Sequence, residues 1–194
     1  IMYKCASALD YACHAGIVHR DIKPANLQYV GHGEAKVCDF GAAYWAKNDS
    51  TQVMDIGSLA YMAPELFRHW VTPQADIYAL GIVLFQLLTG QQAFRADTPA
   101  ALMYQILNGD TPSVLALRPD LPPALESLVS RMVARSLEDR FPDWTAVLAA
   151  LSELLPKLED SAPEKSKKPA QAELYDQLRQ LPLLADLNGA QLWE

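Results

Sequence analysis

The chain has 194 residues, 51% of them apolar, enough for one packed globular domain and an extension. Sixteen basic against 23 acidic residues leave a net charge of −7. Without a global positive field, nucleic-acid and membrane-surface binding are excluded as its main business. Cys5, Cys13 and Cys38 are widely spaced and form no CxxC, which suits the reduced thiols of a cytoplasmic protein.

In chain order, residues 1–15, "IMYKCASALDYACHA", carry small and apolar residues at helical spacing, and Gly16 follows as a stop. "IVHRD" is a short strand-like run entering a loop. "LQYV" and "AKVCDF" flank "GHGE" and predict a hairpin with a Gly-bearing turn. From Gly41 to Ala60 no period is sustained, which predicts a long loop of the kind that usually carries function.

Helical patterns follow at about 74–88, 98–108, 122–134 and 143–155. The densest apolar run, "IYALGIVLFQLLTG", contains Gln86 and stops at Gly90, short of the roughly 20 residues of a membrane span. It predicts a buried core helix, and no membrane span is expected in this chain. Residues 156–171, charged and interrupted by proline, read as a linker. Residues 172–194 return to helical patterning with Leu174, Leu178, Leu181 and Leu184. The chain starts at Ile1 inside one helical pattern and stops at Glu194 as another begins, so it reads as a fragment. The expected fold class is α+β, mainly α.

Asp21, Lys23, Asn26 and Asp39 form the candidate site. Asp21 and Asn26 lie five apart in one loop, and Asp39 follows at the exit of the hairpin, which brings its two ends together. An amide oxygen and a carboxylate are hard ligands suited to Mg²⁺, which takes its remaining ligands from water and substrate phosphates. Asp21 is then left as a base or an orienter, and Lys23 as a point charge for phosphate.

"HRDIKPAN", followed by "DFG" and then by "APE" at Ala63, Pro64 and Glu65, resembles the catalytic half of eukaryotic-type, bacterial-like protein serine/threonine kinases. Six fixed residue types within eight positions arise by chance with probability of order 10⁻⁸ per start site. Three such motifs in the right order leave little room for accident.

The resemblance covers about residues 1–155 and implies a kinase-like helical C-lobe with a small β-hairpin at the catalytic site. It implies ATP-dependent phosphorylation of Ser/Thr hydroxyls on protein substrates in signal transduction, with ATP and Mg²⁺ as cofactors. Asp21 matches the catalytic Asp, and Asn26 and Asp39 the two Mg²⁺ ligands. Lys23 matches the lysine near the transferred phosphate, and Gln28 and Cys38 lie where the nucleotide binds. His19 and Phe40 match a packed regulatory pair, with Gly41 completing "DFG". Asp76 matches a buried anchor of the His-Arg-Asp backbone, and Glu65 and Arg140 an ion pair tying the docking loop to a later helix. Ser58 stands where Ser/Thr kinases carry a hydroxyl bonded to the catalytic Asp and Lys. Arg20 implies activation-loop control through phosphate, with Ser50 and Thr51 as candidate phosphoacceptors.

Three features depart from the pattern. Ala25 and Gln86 stand where Arg-directed kinases often carry Glu. Gln28 replaces the aliphatic floor under adenine, which leaves a catalytically impaired scaffold as the alternative. The sequence contains no GxGxxG, so the small N-lobe is expected to be absent and residues 1–194 alone to be inactive. Finally, "LRQLPLLADLNGAQLWE" resembles the opening helices of a cyclic-nucleotide-binding domain, which implies a cyclic nucleotide as partner of a downstream module. An amphipathic helix packing on the lobe or on another chain is the other reading of that pattern.

Overall fold

Cys5, Ala6, Leu9 and Ala12 recur at helical spacing and form the buried stripe of α1 (Met2–His14). The computed structural model describes residues 1–31, 33–42, 44–45 and 56–161. Ser50, Thr51 and the helical module read over 172–194 lie outside them. After α1 the chain turns through Gly16 into β1 (Ile17–Val18). The expected hairpin follows, with β2 (Leu27–Gly31) antiparallel to β3 (Glu34–Val37). Leu27 lies opposite Val37 and Gln28 opposite Lys36, and the register shifts between Tyr29 and Gly31. Gly31 and Gly33 hold φ at 90° and 79° in the turn, where a Cβ would strain the backbone.

The span from Gly41 to Ala60, expected as loop throughout, carries structure at both ends. A 3₁₀ turn covers Phe40–Ala42, β4 (Tyr44–Trp45) follows, and α2 covers Ile56–Leu59. β4 pairs antiparallel with β1, Ile17 opposite Trp45 and Val18 opposite Tyr44. That ribbon joins segments separated by the whole hairpin, and two residues a side show no period.

A 3₁₀ turn over Pro64–Arg68 leads into α3 (Pro73–Thr89), whose residues Ala75 through Phe85 are all buried. A helix apolar on every face belongs in a core, and α3 is the axis on which the rest packs. Among the described residues no helix is long and apolar enough to cross a membrane. Thr98 caps α4 (Pro99–Asn108), its hydroxyl accepting the Ala101 N–H at 3.2 Å. After α5 (Val114–Leu117), α6 (Pro123–Met132) turns Leu125, Leu128, Val129 and Met132 inward to pack on α3. The contact is close, since a Cβ on Gly81 would sit 2.7 Å from Met132 Cβ.

The last helix, α7 (Trp144–Ser161), buries Trp144, Val147, Leu151 and Leu154. It runs through Pro156 and so extends into the stretch read as a linker from 156. Charge and a single proline argue against burial more than against helix. Lys157, Leu158 and Glu159 are good helix formers that carry the pattern on. The chain divides into two units, Ile1–Lys157 and Leu158–Glu194, and of the second only the end of α7 is described. The first unit is mainly helical with two short antiparallel ribbons.

Candidate active site

Asp76 stands in the first turn of α3, 3% exposed, at the head of an otherwise apolar run. Its Oδ2 accepts the His19 N–H at 2.7 Å and its Oδ1 the Arg20 N–H at 2.8 Å. One carboxylate thereby fixes two consecutive peptides of the loop after β1. Burial pushes the Asp76 carboxyl up to about 6, while the two N–H groups and the nearby His19 and Arg20 pull the other way. Arg20 adopts φ 69°, a left-handed conformation rare for a side chain of its size.

His19, fully buried, ties this loop to the hairpin. Its Nε2 lies 3.1 Å from the Cys38 carbonyl oxygen, and its Nδ1 accepts the Asp21 N–H at 3.3 Å. Both contacts are met by the neutral ring with its proton on Nε2. The ring stacks tilted against Phe40, centroids 4.5 Å apart, and Phe40 remains 42% exposed. A further link runs between the hairpin ends, where the Cys38 N–H donates to the Asn26 carbonyl at 2.8 Å. Asn26 and the Cys38–Asp39 segment are therefore neighbours, as the hairpin argument requires.

Within this frame the side chains converge. Asp21 Oδ2 lies 2.7 Å from Lys23 Nζ and accepts from Asn26 Nδ2 at 3.1 Å, while Asn26 Nδ2 also donates to the Asp21 carbonyl at 2.8 Å. Lys23 Nζ donates to Ser58 Oγ at 2.8 Å, joining this loop to the segment before "APE". Asp39, at φ 63°, accepts the Gly41 N–H on Oδ1 at 3.3 Å. Among the described residues, Asp21 Oδ1, Asn26 Oδ1 and Asp39 Oδ2 accept no hydrogen bond. No group of three or more acidic, His or Cys side chains suited to a metal occurs among them. Two amide or carboxylate oxygens with open coordination fit Mg²⁺, which keeps waters and takes phosphate oxygens, better than a metal needing an all-protein cage. Cys38 is half-buried, and Gln28 is exposed on β2.

Behind the site, Glu65 and Arg140 form a buried pair at 2.7 and 3.1 Å. Arg140 also donates to the carbonyls of Gln74 and Ala134, each at 2.9 Å, and lies 5.0 Å from the centroid of the Tyr78 ring. Some contacts are not among the expected ones. Thr72 Oγ1 donates to Glu65 at 3.3 Å, Gln74 Nε2 reaches the Leu137 and Phe141 carbonyls, and Tyr61 Oη donates to Gln86 Oε1 at 2.6 Å. A lone Gln inside the apolar run was the available signal for the last of these.

A family model described as "Protein kinase domain" matches residues 1–150. This chain belongs to the protein kinase family. Three serine/threonine-protein kinases are among the relatives of this kinase chain. It is 40% identical over 146 residues to the probable serine/threonine-protein kinase PknB of Lactococcus lactis, covering 74% of this chain and 23% of that protein. Against the serine/threonine-protein kinase PknL of Mycobacterium tuberculosis it is 36% identical over 176 residues, 86% of this chain and 44% of the relative. The serine/threonine-protein kinase PknH of Mycobacterium bovis gives 38% over 158 residues, 80% and 26%. The chain thus spans less than half the length of the curated relatives it matches.

Proposed function

We propose that the whole protein transfers the terminal phosphoryl group of ATP to Ser or Thr hydroxyls of protein substrates. The observation that carries this reading is the Asp21–Lys23–Ser58 chain, with Asp21 also held by Asn26. Asp21 keeps one carboxylate oxygen unspent, where it orients a substrate hydroxyl and takes up its proton. Lys23 balances that carboxylate and carries positive charge toward the transferred group. Asn26 Oδ1 and Asp39 are the residues that would hold Mg²⁺, whose charge offsets that of the phosphates. Gln28 and Cys38 border the nucleotide in this reading, and Arg20 is the partner for a phosphate on Ser50 or Thr51.

Substrate preference follows from two neutral positions. Ala25 carries no charge, and Gln86 is engaged by Tyr61, so no carboxylate stands at either place to select arginine. A non-catalytic scaffold is favoured by one residue only, Gln28, whose amide needs a hydrogen-bond partner where an apolar floor would need none.

The test is Asp21→Asn in the full-length protein, assayed with Mg-ATP and a generic Ser/Thr protein substrate. Loss of the base lowers kcat by roughly 10²–10⁴-fold. Transfer at the wild-type rate would sink the role given to Asp21. Residues 1–194 on their own, lacking a GxGxxG phosphate loop, serve as the inactive reference.

A further inference from the structure

A large cleft in the first unit lies away from Asp21 and Lys23. It opens between the Pro64–Arg68 turn, α4 and the connection from α6 to α7, with a volume of about 920 Å³. That is within the size range of ligand sites, roughly 300–1,000 Å³. Phe94, Ile106 and Val133, all buried, form its apolar wall, and Trp70 stands at its mouth, 66% exposed.

Tyr78 lines the same cleft from α3. The residue is 2% exposed, and its hydroxyl makes no hydrogen bond to any described residue. The hydroxyl itself is not sealed in the core but opens into the cleft, where an atom of a ligand can meet it. Burial pushes the Tyr78 hydroxyl well above its ordinary range, so it keeps its proton and acts as a donor. The ligand must therefore offer an acceptor oxygen at the depth of an apolar wall.

The rim adds a sign. Asp110 pairs with Arg135 at 3.5 Å, and Arg135 also donates to the Gly109 carbonyl. Among the described residues, Glu138 and Asp139 are exposed and enter no ion pair, against one lining guanidinium, that of Arg68, without a carboxylate partner. The surplus is negative.

We infer that this cleft is a second peptide-binding site, taking a segment of a partner protein that carries an apolar anchor followed by Lys or Arg. The anchor fills the space against Phe94, Ile106 and Val133, Tyr78 donates to a backbone carbonyl, and Glu138 and Asp139 face the basic side chains. A peptide supplies all three features at once, whereas an apolar anion would meet the rim carboxylates. The inference stands apart from the phosphotransfer reading, because binding is measured directly.

The experiment titrates full-length protein with the capped tetrapeptide acetyl-FAKR-amide by isothermal calorimetry, with acetyl-AAKR-amide and acetyl-FAEE-amide as controls. Saturable binding of the first is expected, at least about fivefold tighter than either control. Tyr78→Phe weakens it about three- to tenfold, the equivalent of one hydrogen bond. Because the hydroxyl has no partner in the fold, this variant keeps the wild-type melting temperature. The double charge reversal Glu138→Lys/Asp139→Lys, at exposed positions, weakens it about fivefold. No saturation by 5 mM peptide (about the weakest affinity calorimetry resolves) overturns the inference, as does equal binding by Tyr78→Phe and wild type. Saturable binding of dodecanoate with none of the peptide would assign the cleft to an apolar anion, and so also overturns it.

Discussion

Replacing Glu65 with alanine strands a guanidinium that has nowhere to go. The Arg140 side chain is 0% exposed and that of Glu65 6%, so neither charge reaches water when its partner is lost. Two of the four hydrogen bonds Arg140 makes end on Glu65, at 2.7 and 3.1 Å; the other two end on the Ala134 and Gln74 carbonyls. Those carbonyls and the Tyr78 ring remain and soften the loss, but they carry no net charge. Breaking such a pair by removing one partner costs about 3–5 kcal/mol. For a unit of this size each kcal/mol moves the melting temperature by roughly 2–4 °C, so Glu65→Ala lowers it by about 10 °C. The double variant Glu65→Leu/Arg140→Met removes both charges and retains volume. It is expected to recover at least about half of the loss, since apolar replacement of a buried pair is often neutral or better. Thermal and urea unfolding of Glu65→Leu, Arg140→Met and the double variant close a double-mutant cycle. A coupling near zero, with the double variant as unstable as the sum of the singles, would refute the claim that the stranded charge drives the effect.

Two further predictions concern α3. Gly81→Ala adds a Cβ 2.7 Å from Met132 Cβ and 2.8 Å from Val133 Cγ1. The gain in helix propensity of about 1 kcal/mol is outweighed by overpacking, for a net loss of about 1–2 kcal/mol, and unchanged stability in urea would contradict the close α3–α6 approach. Asp76 bears on pH. Its folded value is raised from 3.8 to about 6, so between those values the native state binds its proton more tightly than the unfolded chain. The stability this group contributes is therefore fully present below about 3.8 and is lost as pH rises through 6. The stability of wild type minus that of Asp76→Asn should rise from pH 7 to pH 4, and a difference that falls on acidification would reverse the sign argued here.

What the sequence disclosed depended on how local each feature is. Asp21, Lys23 and Asn26 fall within six positions, so their convergence could be expected before any coordinates, and the hairpin explained how Asp39 joins them. The long helices were legible from apolar spacing, with bounds close to those found except at the end of α7, which runs on to Ser161. The β1–β4 ribbon was not, because its two residues a side pair across the hairpin and leave no periodic trace. The left-handed conformations of Arg20 and Asp39 were equally hidden, since no glycine announces them. The cleft beside Trp70 draws its walls from segments scattered between Pro64 and Asp139, and only the fold brings these together.

The way the loop is anchored explains why so few side chains suffice at the site. His19 and Arg20 are held through their peptide N–H groups by Asp76, and Cys38 through its own N–H and carbonyl by Asn26 and His19. Backbone tethers of this kind spend none of the carboxylate or amide oxygens that point outward. Asp21, Asn26 and Asp39 each retain one oxygen without a partner among the described residues. In the proposed reading, oxygens fixed in place and left unpaired need little reorganisation when a cation or a substrate hydroxyl arrives, which is the condition for electrostatic stabilisation of a transferring group. The burial of Asp76 follows from the same arrangement. An anchor beneath the loop must come from the core, and a charged residue in the core is tolerated there because two backbone donors meet it.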